Sequence, residues 1–340
     1  MVDSNKIVRS ICYFTDNPKS QIVDRLEQLA EKLRQKDFIL QTLRICSAKQ
    51  DISQLETKVS DKSIYLSVGT LTLTQAKSQI NDFFSAKNTS FNIDLTTVIE
   101  VDQYIDLLFQ IINNKPEKTF LFTWVFNNKL SSSYYPSAAY EKNGFSIGLQ
   151  PTNLAIDCNS IEEWLAKLKD VWLEIYNLFN GLPDFLGIDS SIAPLLGKEA
   201  SFIHFIKRID PSFSHTTTTN IYFKITKFLA ENNPKPIGLC GLMFPCLEDD
   251  ELANEYENGN FTIERNIYLS LHSGLGIDTY PVGINENPKR IGEILTTVQA
   301  LSTKYNKALS VRFVTDGKAK IGEKTNFQNE FLRDVVIKAL

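Results

Sequence analysis

Residues 7–46 read IVRSICYFTDNPKSQIVDRLEQLAEKLRQKDFILQTLRIC, and this stretch decides the fold. Ile7 to Phe14 is an apolar run of strand length that ends at the turn signal Asp16-Asn17-Pro18. The next segment has apolar residues at spacings of three and four, which predicts a helix packed on one face. These residues are Ile22, Leu26, Leu29 and Leu33. Because Phe38 to Cys46 reads as a second strand, the stretch predicts a βαβ unit of a parallel sheet.

The same alternation of strands and helices continues to the end of the chain. Further strands are predicted at residues 63–68, 120–126, 145–149, 185–188, 237–244, 268–272 and 309–314. Further helices are predicted at residues 73–85, 101–113, 161–179, 200–207, 218–231 and 288–305. We expect one large α/β unit over residues 1–340. The breaker Asn180-Gly181-Leu182-Pro183 marks a boundary near residues 180–184 between two halves of similar content.

Composition narrows the classes of partner. The net charge is −4 and the basic residues are dispersed, which argues against a nucleic-acid surface. No apolar run approaches the roughly 20 residues of a membrane span, and residues 1–6 lack the layout of a signal peptide. The five cysteines contain no C-x-x-C pair, so we expect buried, reduced thiols. The sequence therefore predicts a cytoplasmic protein without contact to nucleic acid or membrane.

Polar residues follow several predicted strands of the second half, where parallel sheets commonly place their ligands. Asp189 and Asp278 each come just after a predicted strand, and Ser273-Gly274 follows another. We expect both aspartates to be catalytic and Ser273 and Gly274 to bind substrate. Gly274-Leu275-Gly276 lacks the third glycine and following helix of a dinucleotide motif, so no dinucleotide cofactor is predicted.

His215 is the sharpest single candidate for proton transfer. It stands before a run of threonines at the predicted start of a helix, where a histidine can act as acid, base or ligand beside an anion cradle. On this interpretation Asp189 orients His215 or binds a cation, and Thr216 and Thr217 bind substrate through hydroxyl and backbone donors. The alternative is that Thr216 or Ser214 caps the helix and His215 is a surface residue.

Carboxylates suggest a divalent metal as one candidate cofactor, although no metal motif is present. Asp189, Glu248 and Asp249 are oxygen donors of the kind that hard cations prefer. Together with Asp278 they could instead divide acid and base roles. The alternative is that Asp189 caps a helix and that residues 248–250 fill an exposed first helical turn, where acidic side chains are favoured. The cofactor is otherwise unknown.

Arg9, Arg44 and Arg312 lie in or beside predicted strands. An arginine in an apolar strand must find a partner. It is therefore either half of a buried ion pair or a clamp for a carboxylate or phosphate. We assign substrate binding to Arg44 and Arg312 and leave the ion pair open as the alternative.

Several segments, taken in order, resemble the domain-of-unknown-function 711 family. They are Val8-Arg-Ser-Ile11, Gln41-Thr-Leu-Arg44, Tyr135-Pro-Ser-Ala-Ala-Tyr140, Asp189-Ser-Ser-Ile-Ala-Pro194, His215-Thr-Thr-Thr-Thr219, Gly238 to Pro245 and Ser273 to Asp278. The resemblance implies a fold like pyruvate formate-lyase, a barrel-like sheet of about ten strands in two parallel halves with helices outside. It does not imply a reaction. Glycyl-radical chemistry is not expected, because residues 325–340 contain no glycine.

Together these features predict an enzyme with a polar pocket that acts on a small anionic metabolite. The expected reaction is acid–base or hydrolytic, with or without a metal, and a homo-oligomer is a further expectation. The alternative is a non-catalytic module that binds a metabolite and regulates.

Overall fold

The computed structural model describes residues 5–340, and its framework is one mixed sheet of nine strands in the order β7-β6-β1-β2-β3-β4-β5-β9-β8. The strands are β1 (Lys6–Phe14), β2 (Phe38–Cys46), β3 (Tyr65–Thr70), β4 (Thr89–Asp94), β5 (Phe122–Phe126), β6 (Gly144–Gln150), β7 (Phe185–Asp189), β8 (Gly276–Pro281) and β9 (Leu309–Val314). The fold class α/β is confirmed.

Twelve α-helices are found in the described residues. They are α1 (Ser20–Arg34), α2 (Ile52–Lys58), α3 (Leu73–Ser78), α4 (Ile80–Ser85), α5 (Asp102–Asn114), α6 (Ile161–Phe179), α7 (Phe202–Ile209), α8 (Phe213–Thr216), α9 (Ile221–Asn232), α10 (Asp250–Glu257), α11 (Ile263–His272) and α12 (Pro288–Tyr305). Short 3-10 helices at Pro116–Leu121 and Thr152–Ala155 complete the set.

The strands form two groups that run in opposite directions. Strands β1 to β5 are parallel to one another along the sheet. Strand β6 is antiparallel to β1, and β7 is parallel to β6. At the other side, β9 is antiparallel to β5, and β8 is parallel to β9. The chain therefore reverses its direction in the sheet after β5.

The predicted barrel needs correction, because the sheet has nine strands and is not closed. In the segment predicted as a strand at residues 237–244, only Leu242 forms bridges, to Ile192 on one side and to Gly274 on the other. The flanking Pro236 and Pro245 bridge to Ile188 and Asp278. Gly238 and Cys240 in this segment have positive φ values of 74° and 47°, which interrupt an extended strand. The likeness to pyruvate formate-lyase stays a prediction.

Two other predictions differ from the structure. Residues 268–272, predicted as a strand, are the last turns of α11, whose buried residues Ile263, Asn266, Leu269 and Ser270 follow the helical spacing. Asp278, predicted just after a strand, lies inside β8. The turn at residues 180–184 joins α6 to β7, and its role as a boundary between halves stays a prediction.

The core is continuous across the sheet. Helix α6 buries Trp164, Leu168, Trp172 and Ile175, the stripe its sequence predicts. Truncating a buried tryptophan of this kind to alanine costs about 3–5 kcal/mol. Every residue of β5 and β6 is buried, as expected for strands covered on both faces. None of the helices formed by residues 5–340 has the length and apolarity that a membrane crossing needs.

Candidate functional site

The connection between β5 and β6, residues 127–143, folds against the sheet, and we call it the tyrosine loop. Residues 131–134 and 136–139 are buried, although a connecting segment usually lies at the surface. Asn92 of β4 donates its amide hydrogens to the carbonyl oxygens of Pro136 and Ala138, both at 2.9 Å. Ser10 of β1 donates to the carbonyl oxygen of Ser133 at 2.8 Å. The sheet thus supplies the hydrogen bonds that a buried loop requires.

Asp189, at the end of β7, joins the tyrosine loop to two other segments. Its Oδ2 accepts hydrogen bonds from the Ser132 hydroxyl at 2.7 Å and from the amide of Leu239 at 3.0 Å. Its Oδ1 accepts from the amide and hydroxyl of Ser191 and from the amide of Cys240. With five donors on two fully buried oxygens, Asp189 holds the loop in place. These donors occupy the lone pairs of both carboxylate oxygens, so Asp189 has no free acceptor site with which to take up a proton from a substrate.

Gly238 is required beside this carboxylate. A side-chain carbon at this position would lie 2.3 Å from Asp189 Oδ2 and 2.7 Å from the Ser132 Cα, both far below contact distance. The residue also has φ of 74°, which glycine adopts at little cost.

A cavity of about 510 Å³ lies between the strands and the tip of the tyrosine loop. Its wall contains three arginines and one buried carboxylate, the residues Arg9, Arg44, Arg312 and Glu248. The remaining lining residues are Gln41, Thr42, Ser63, Tyr65, Phe120, Leu121, Tyr135, Pro136, Leu195, Glu330 and Phe331. We call this space the arginine cavity. A second cavity of about 30 Å³ adjoins it at Tyr135, Pro136 and Arg312.

Arg312 of β9 is fully engaged by two carboxylates. Its Nη2 lies 2.6 Å from Glu248 Oε1, and its Nε lies 2.6 Å from Asp278 Oδ1. Its Nη1 donates to the carbonyl oxygen of Phe120 at 3.2 Å. Burial lowers the pKa of Arg312, but the two carboxylates outweigh burial and raise it above its ordinary value. For this residue the ion-pair alternative describes the contacts seen.

Arg9 and Glu248 are a looser pair. Arg9 Nη2 lies 3.4 Å from Glu248 Oε2, and Arg9 Nη1 lies 3.4 Å from Gln150 Oε1. Burial lowers the pKa of Arg9 to about 10, with Glu248 opposing the shift. Burial raises the pKa of the Glu248 carboxyl, and Arg312 opposes that shift. Glu248 is thus a buried acid at the cavity wall whose proton affinity is raised.

Arg44 of β2 differs from the other two arginines. Its Nε donates to Thr42 Oγ1 at 3.1 Å, its Nη1 donates to the Ser133 carbonyl oxygen at 3.1 Å, and its guanidinium lies 4.9 Å from the centre of the Tyr135 ring. In the part of the chain that the structure describes, no carboxylate pairs with Arg44. The residue is 8% exposed, and burial lowers its pKa. Arg44 therefore presents a partly free, buried positive charge to the cavity.

His215 is not brought to this cavity. Its side chain is 66% exposed on α8, where Nδ1 contacts the carboxylate of Asp210. Its amide is capped by the Ser212 hydroxyl. The structure therefore places His215 at the surface, whereas Asp189, the residue predicted to orient it, is fully buried.

The threonines do not form an anion cradle. The hydroxyl of Thr216 donates to the carbonyl oxygen of Phe213 at 2.7 Å, and that of Thr217 donates to the carbonyl oxygen of Ser214 at 2.9 Å. Each hydroxyl thus bonds to the carbonyl three residues earlier, a local pattern that closes a helical turn. Neither residue lines the arginine cavity.

Ser273 lies at a separate cavity of about 420 Å³, whose wall includes Lys129, His272 and Lys307. Its hydroxyl lies 3.0 Å from His272 Nδ1. The amide of Gly274 donates to the Leu269 carbonyl oxygen at 2.6 Å and so closes the end of α11. These two predicted substrate-binding residues are therefore not neighbours of Arg44.

The three candidate metal ligands do not converge. Asp249 caps α10 and also accepts hydrogen bonds from Ser201, Phe202 and Ile203 at the start of α7. Burial raises the pKa of Asp249 to about 6, with these donors opposing the shift. Glu248 pairs with arginines, and residues 5–340 contain no group of three or more potential ligands suited to a metal ion. The metal set stays a prediction, and its carboxylate oxygens already accept hydrogen bonds from N–H and O–H groups.

The sequence prediction missed several residues of the cavity. Arg9 carries the same signal as Arg44, a charge inside an apolar strand, but it was given no site role. For Glu248 the sequence suggests a metal ligand, an acid or base, or a residue of an exposed first helical turn, but not a partner of Arg312. Tyr65, Phe120 and Phe331 look like ordinary core aromatics in the sequence, and only the tertiary structure places them together.

Comparison with known proteins gives a family match over part of the chain and no reaction. The family model described as Uncharacterised ACR (DUF711) matches residues 178–328, which supports the resemblance noted from the motifs. No match is found among curated proteins. The matched range contains Asp189, Glu248, Asp278 and Arg312 but ends before Glu330 and Phe331.

Proposed function

We propose that the protein is a cytoplasmic enzyme that binds a small organic anion in the arginine cavity and acts on it by acid–base chemistry. The observation that carries the proposal is Arg44. A buried guanidinium without a carboxylate partner costs several kcal/mol, because neither water nor an opposite charge compensates it. An anionic ligand at the free edge of Arg44 would supply the missing charge and two hydrogen-bond acceptors.

Glu248 is the group best placed to exchange a proton with such a ligand. It lines the same cavity, and burial raises its pKa, so its protonated form is accessible nearer to neutral pH than that of an exposed glutamate. Its contact with Arg9 is long, at 3.4 Å. If the ligand anion draws Arg9 toward itself, Glu248 loses part of its compensating charge and its proton affinity rises further.

The hydrolytic and metal-assisted variants have less support. A hydrolytic reaction needs a positioned water or nucleophile, and the predicted acid–base pair of His215 and Asp189 is not assembled at the cavity. A metal-assisted route would need donors other than the set of Asp189, Glu248 and Asp249, which lie in different hydrogen-bond networks.

A non-catalytic binding module is the second candidate, and one observation favours it. The three histidines of the chain are His204, His215 and His272, and none of them lines the arginine cavity. Glu248 would then be a structural counter-charge for Arg312. In that case the cavity would bind its ligand, and any signal would pass through a partner or a homo-oligomer.

The test combines binding and turnover. Purified full-length protein would be screened by thermal shift against carboxylates, phosphate esters and amino acids, because a ligand at 100 times its dissociation constant adds about 2.7 kcal/mol of stability. Each hit would then be incubated with protein in deuterated water and followed by NMR for proton exchange or conversion.

Three variants separate the roles. Arg44→Met should abolish the thermal shift, and Glu248→Gln should retain binding but lose exchange or conversion, since an amide cannot titrate. Arg34→Met, at a half-exposed arginine of α1, is the control and should change neither. Binding without any chemical change in the wild type would favour the binding module. Full turnover by Glu248→Gln would exclude Glu248 as the proton-transferring group.

A further inference from the structure

We propose that the ligand of the arginine cavity is an amphipathic monocarboxylate, with its carboxylate at Arg44 and Arg9 and its apolar body against the aromatic wall formed by Tyr65, Phe120 and Phe331. This inference rests on the proposed function and narrows it to one class of anion. It stands on three independent features of the cavity: its charge balance, the kind of donor it offers and the aromatic part of its wall.

The charge balance calls for one negative charge. Three guanidiniums, those of Arg9, Arg44 and Arg312, face the cavity. Two carboxylates compensate them, Glu248 from the cavity wall and Asp278 from the adjoining small cavity, and both pair with Arg312. One positive charge therefore remains uncompensated by carboxylates of the described residues. It lies on Arg44, which pairs with none of them. A monoanion makes the cavity neutral, whereas a dianionic phosphate ester would leave a buried negative charge.

Glu330 does not alter this balance. It lines the cavity but is exposed, so water screens its charge. The balance therefore disfavours dicarboxylates as it does phosphate esters, because a second negative charge would lack a buried partner.

The donors suit a planar carboxylate better than a phosphate. A guanidinium offers a flat edge of N–H groups that matches the two coplanar oxygens of a carboxylate. No lysine lines the cavity. Phosphate sites typically use free backbone amides at a helix N-terminus. The helix start next to the cavity, that of α10, is already capped by Asp249, which accepts from the amides of Glu251 and Leu252.

Much of the remaining cavity wall is apolar and aromatic, and its Phe120 ring lies 4.9 Å from the Arg312 guanidinium. Phe120 and Phe331 have parallel rings, with 3° between their planes and 6.3 Å between their centres. Leu121, Leu195 and Tyr65 extend this surface. The volume of about 510 Å³ is far larger than acetate needs and lies within the range of about 300–1,000 Å³ for organic ligand sites. A ligand with a planar or branched apolar body would fill this space and exclude its water.

The experiment is a calorimetric titration of the full-length protein at pH 7 with ligands matched in pairs. Acetate, benzoate and 2-naphthoate keep one carboxylate and enlarge the body. Benzamide keeps the body of benzoate without the charge, and phenyl phosphate changes the anion. We expect affinity to rise by about tenfold from acetate to benzoate and again to 2-naphthoate, as apolar area is buried. Benzamide should bind at least tenfold more weakly than benzoate, and phenyl phosphate should also bind more weakly.

Variants assign the two ends of the ligand. Arg44→Met should abolish binding of all carboxylates, whereas Arg44→Lys should retain a reduced affinity, because lysine keeps the charge but not the flat edge. Phe331→Ala should weaken 2-naphthoate by about tenfold and leave acetate unchanged. Arg34→Met, on the outside of α1, should match the wild type throughout.

The outcomes distinguish this inference from the function on which it rests. If phenyl phosphate or a dicarboxylate binds more tightly than benzoate and Arg44→Met abolishes that binding, the monocarboxylate is wrong while an anion-binding cavity stands. If benzamide binds as well as benzoate, the charge argument is wrong. If no anion binds to well-folded protein, both the inference and the proposed function fail.

Discussion

Replacing Arg44 with methionine should leave the unliganded protein about as stable as the wild type, whereas the same replacement at Arg312 should destabilise it strongly. Both arginines are almost fully buried and line the same cavity. They differ in their partners, because Arg312 holds two carboxylates and Arg44 holds none. The pair of variants therefore tests whether the charge of Arg44 is held for a ligand or for the fold.

The magnitude for Arg44 follows from its contacts. Methionine removes two hydrogen bonds worth about 1 kcal/mol each and a cation–π contact worth about 1 kcal/mol. The Ser133 carbonyl oxygen keeps the Ser10 hydroxyl at 2.8 Å, so it is not left unpaired. Against this loss stands the removal of a buried charge that costs several kcal/mol. We expect the free energy of unfolding to change by no more than about 2 kcal/mol in either direction.

The loss of stability expected for Arg312→Met comes from the carboxylates that the replacement leaves behind. Its removal leaves Glu248 and Asp278 without their shared cation, and Glu248 is 5% exposed. Breaking a buried pair by removing one partner costs about 3–5 kcal/mol, and Glu248 would keep only its looser contact with Arg9 at 3.4 Å. Arg312→Met should therefore be clearly less stable than Arg44→Met.

Equilibrium unfolding in urea at pH 7, followed by tryptophan fluorescence, measures both variants on one scale. The slopes should agree with the wild type, so that the midpoints report stability. If Arg44→Met loses as much stability as Arg312→Met, the protein itself compensates the Arg44 charge, and the reasoning that reserves it for a ligand is refuted.

Three further predictions concern residues outside the cavity wall. Asp189→Asn should lower the free energy of unfolding by about 3 kcal/mol or more, because its amide group meets hydrogen-bond donors; a loss below about 1 kcal/mol in urea unfolding would contradict its role in holding the tyrosine loop. His215→Ala should change stability by less than about 0.5 kcal/mol and leave the ligand-induced thermal shift intact, and loss of that shift would restore a role in the site. Burial lowers the pKa of Lys307 to about 8 in the folded protein, whereas the pKa in the unfolded chain is about 10.4. Below pH 8 the buried charge destabilises the folded protein, and this destabilisation falls to zero by about pH 10.4. The free energy of unfolding of the wild type relative to Lys307→Met should therefore rise between about pH 8 and pH 10.4, and a flat difference over that interval would show that Lys307 titrates normally.

The sequence predicted the elements where local periodicity was strong. Helix α6 and strand β2 have the predicted bounds, and β9 does as well. The errors arose where short apolar runs fit two periods, as at residues 268–272, or where backbone conformation overrides residue type, as at Gly238 and Cys240. Local pattern also gave no sign that the chain reverses its direction in the sheet after β5, because strand pairing depends on contacts distant in sequence.

The sequence indicated two of the arginines of the candidate site, but not how they are paired in the fold. Position after a strand suggested functional loops, but Arg9, Arg44 and Arg312 all lie within strands. A charge inside an apolar strand is visible in the sequence, and it pointed correctly to a need for a partner. Whether that partner is supplied by the protein is settled by residues far away, as the 64 positions between Glu248 and Arg312 illustrate.

The hydrogen-bond partners of each buried charge indicate whether that charge serves the fold or is available to a ligand. Asp189 has five donors, and Arg312 has two carboxylates and a carbonyl oxygen. Such groups are already compensated, so a ligand that contacted them would have to break existing bonds and would gain little. Arg44 lacks a carboxylate and faces a cavity that can admit one. On our proposal a ligand therefore gains most at Arg44, which has no carboxylate partner among the described residues, and next at the loosely paired Arg9. The tighter pair of Arg312 and Glu248 offers it less.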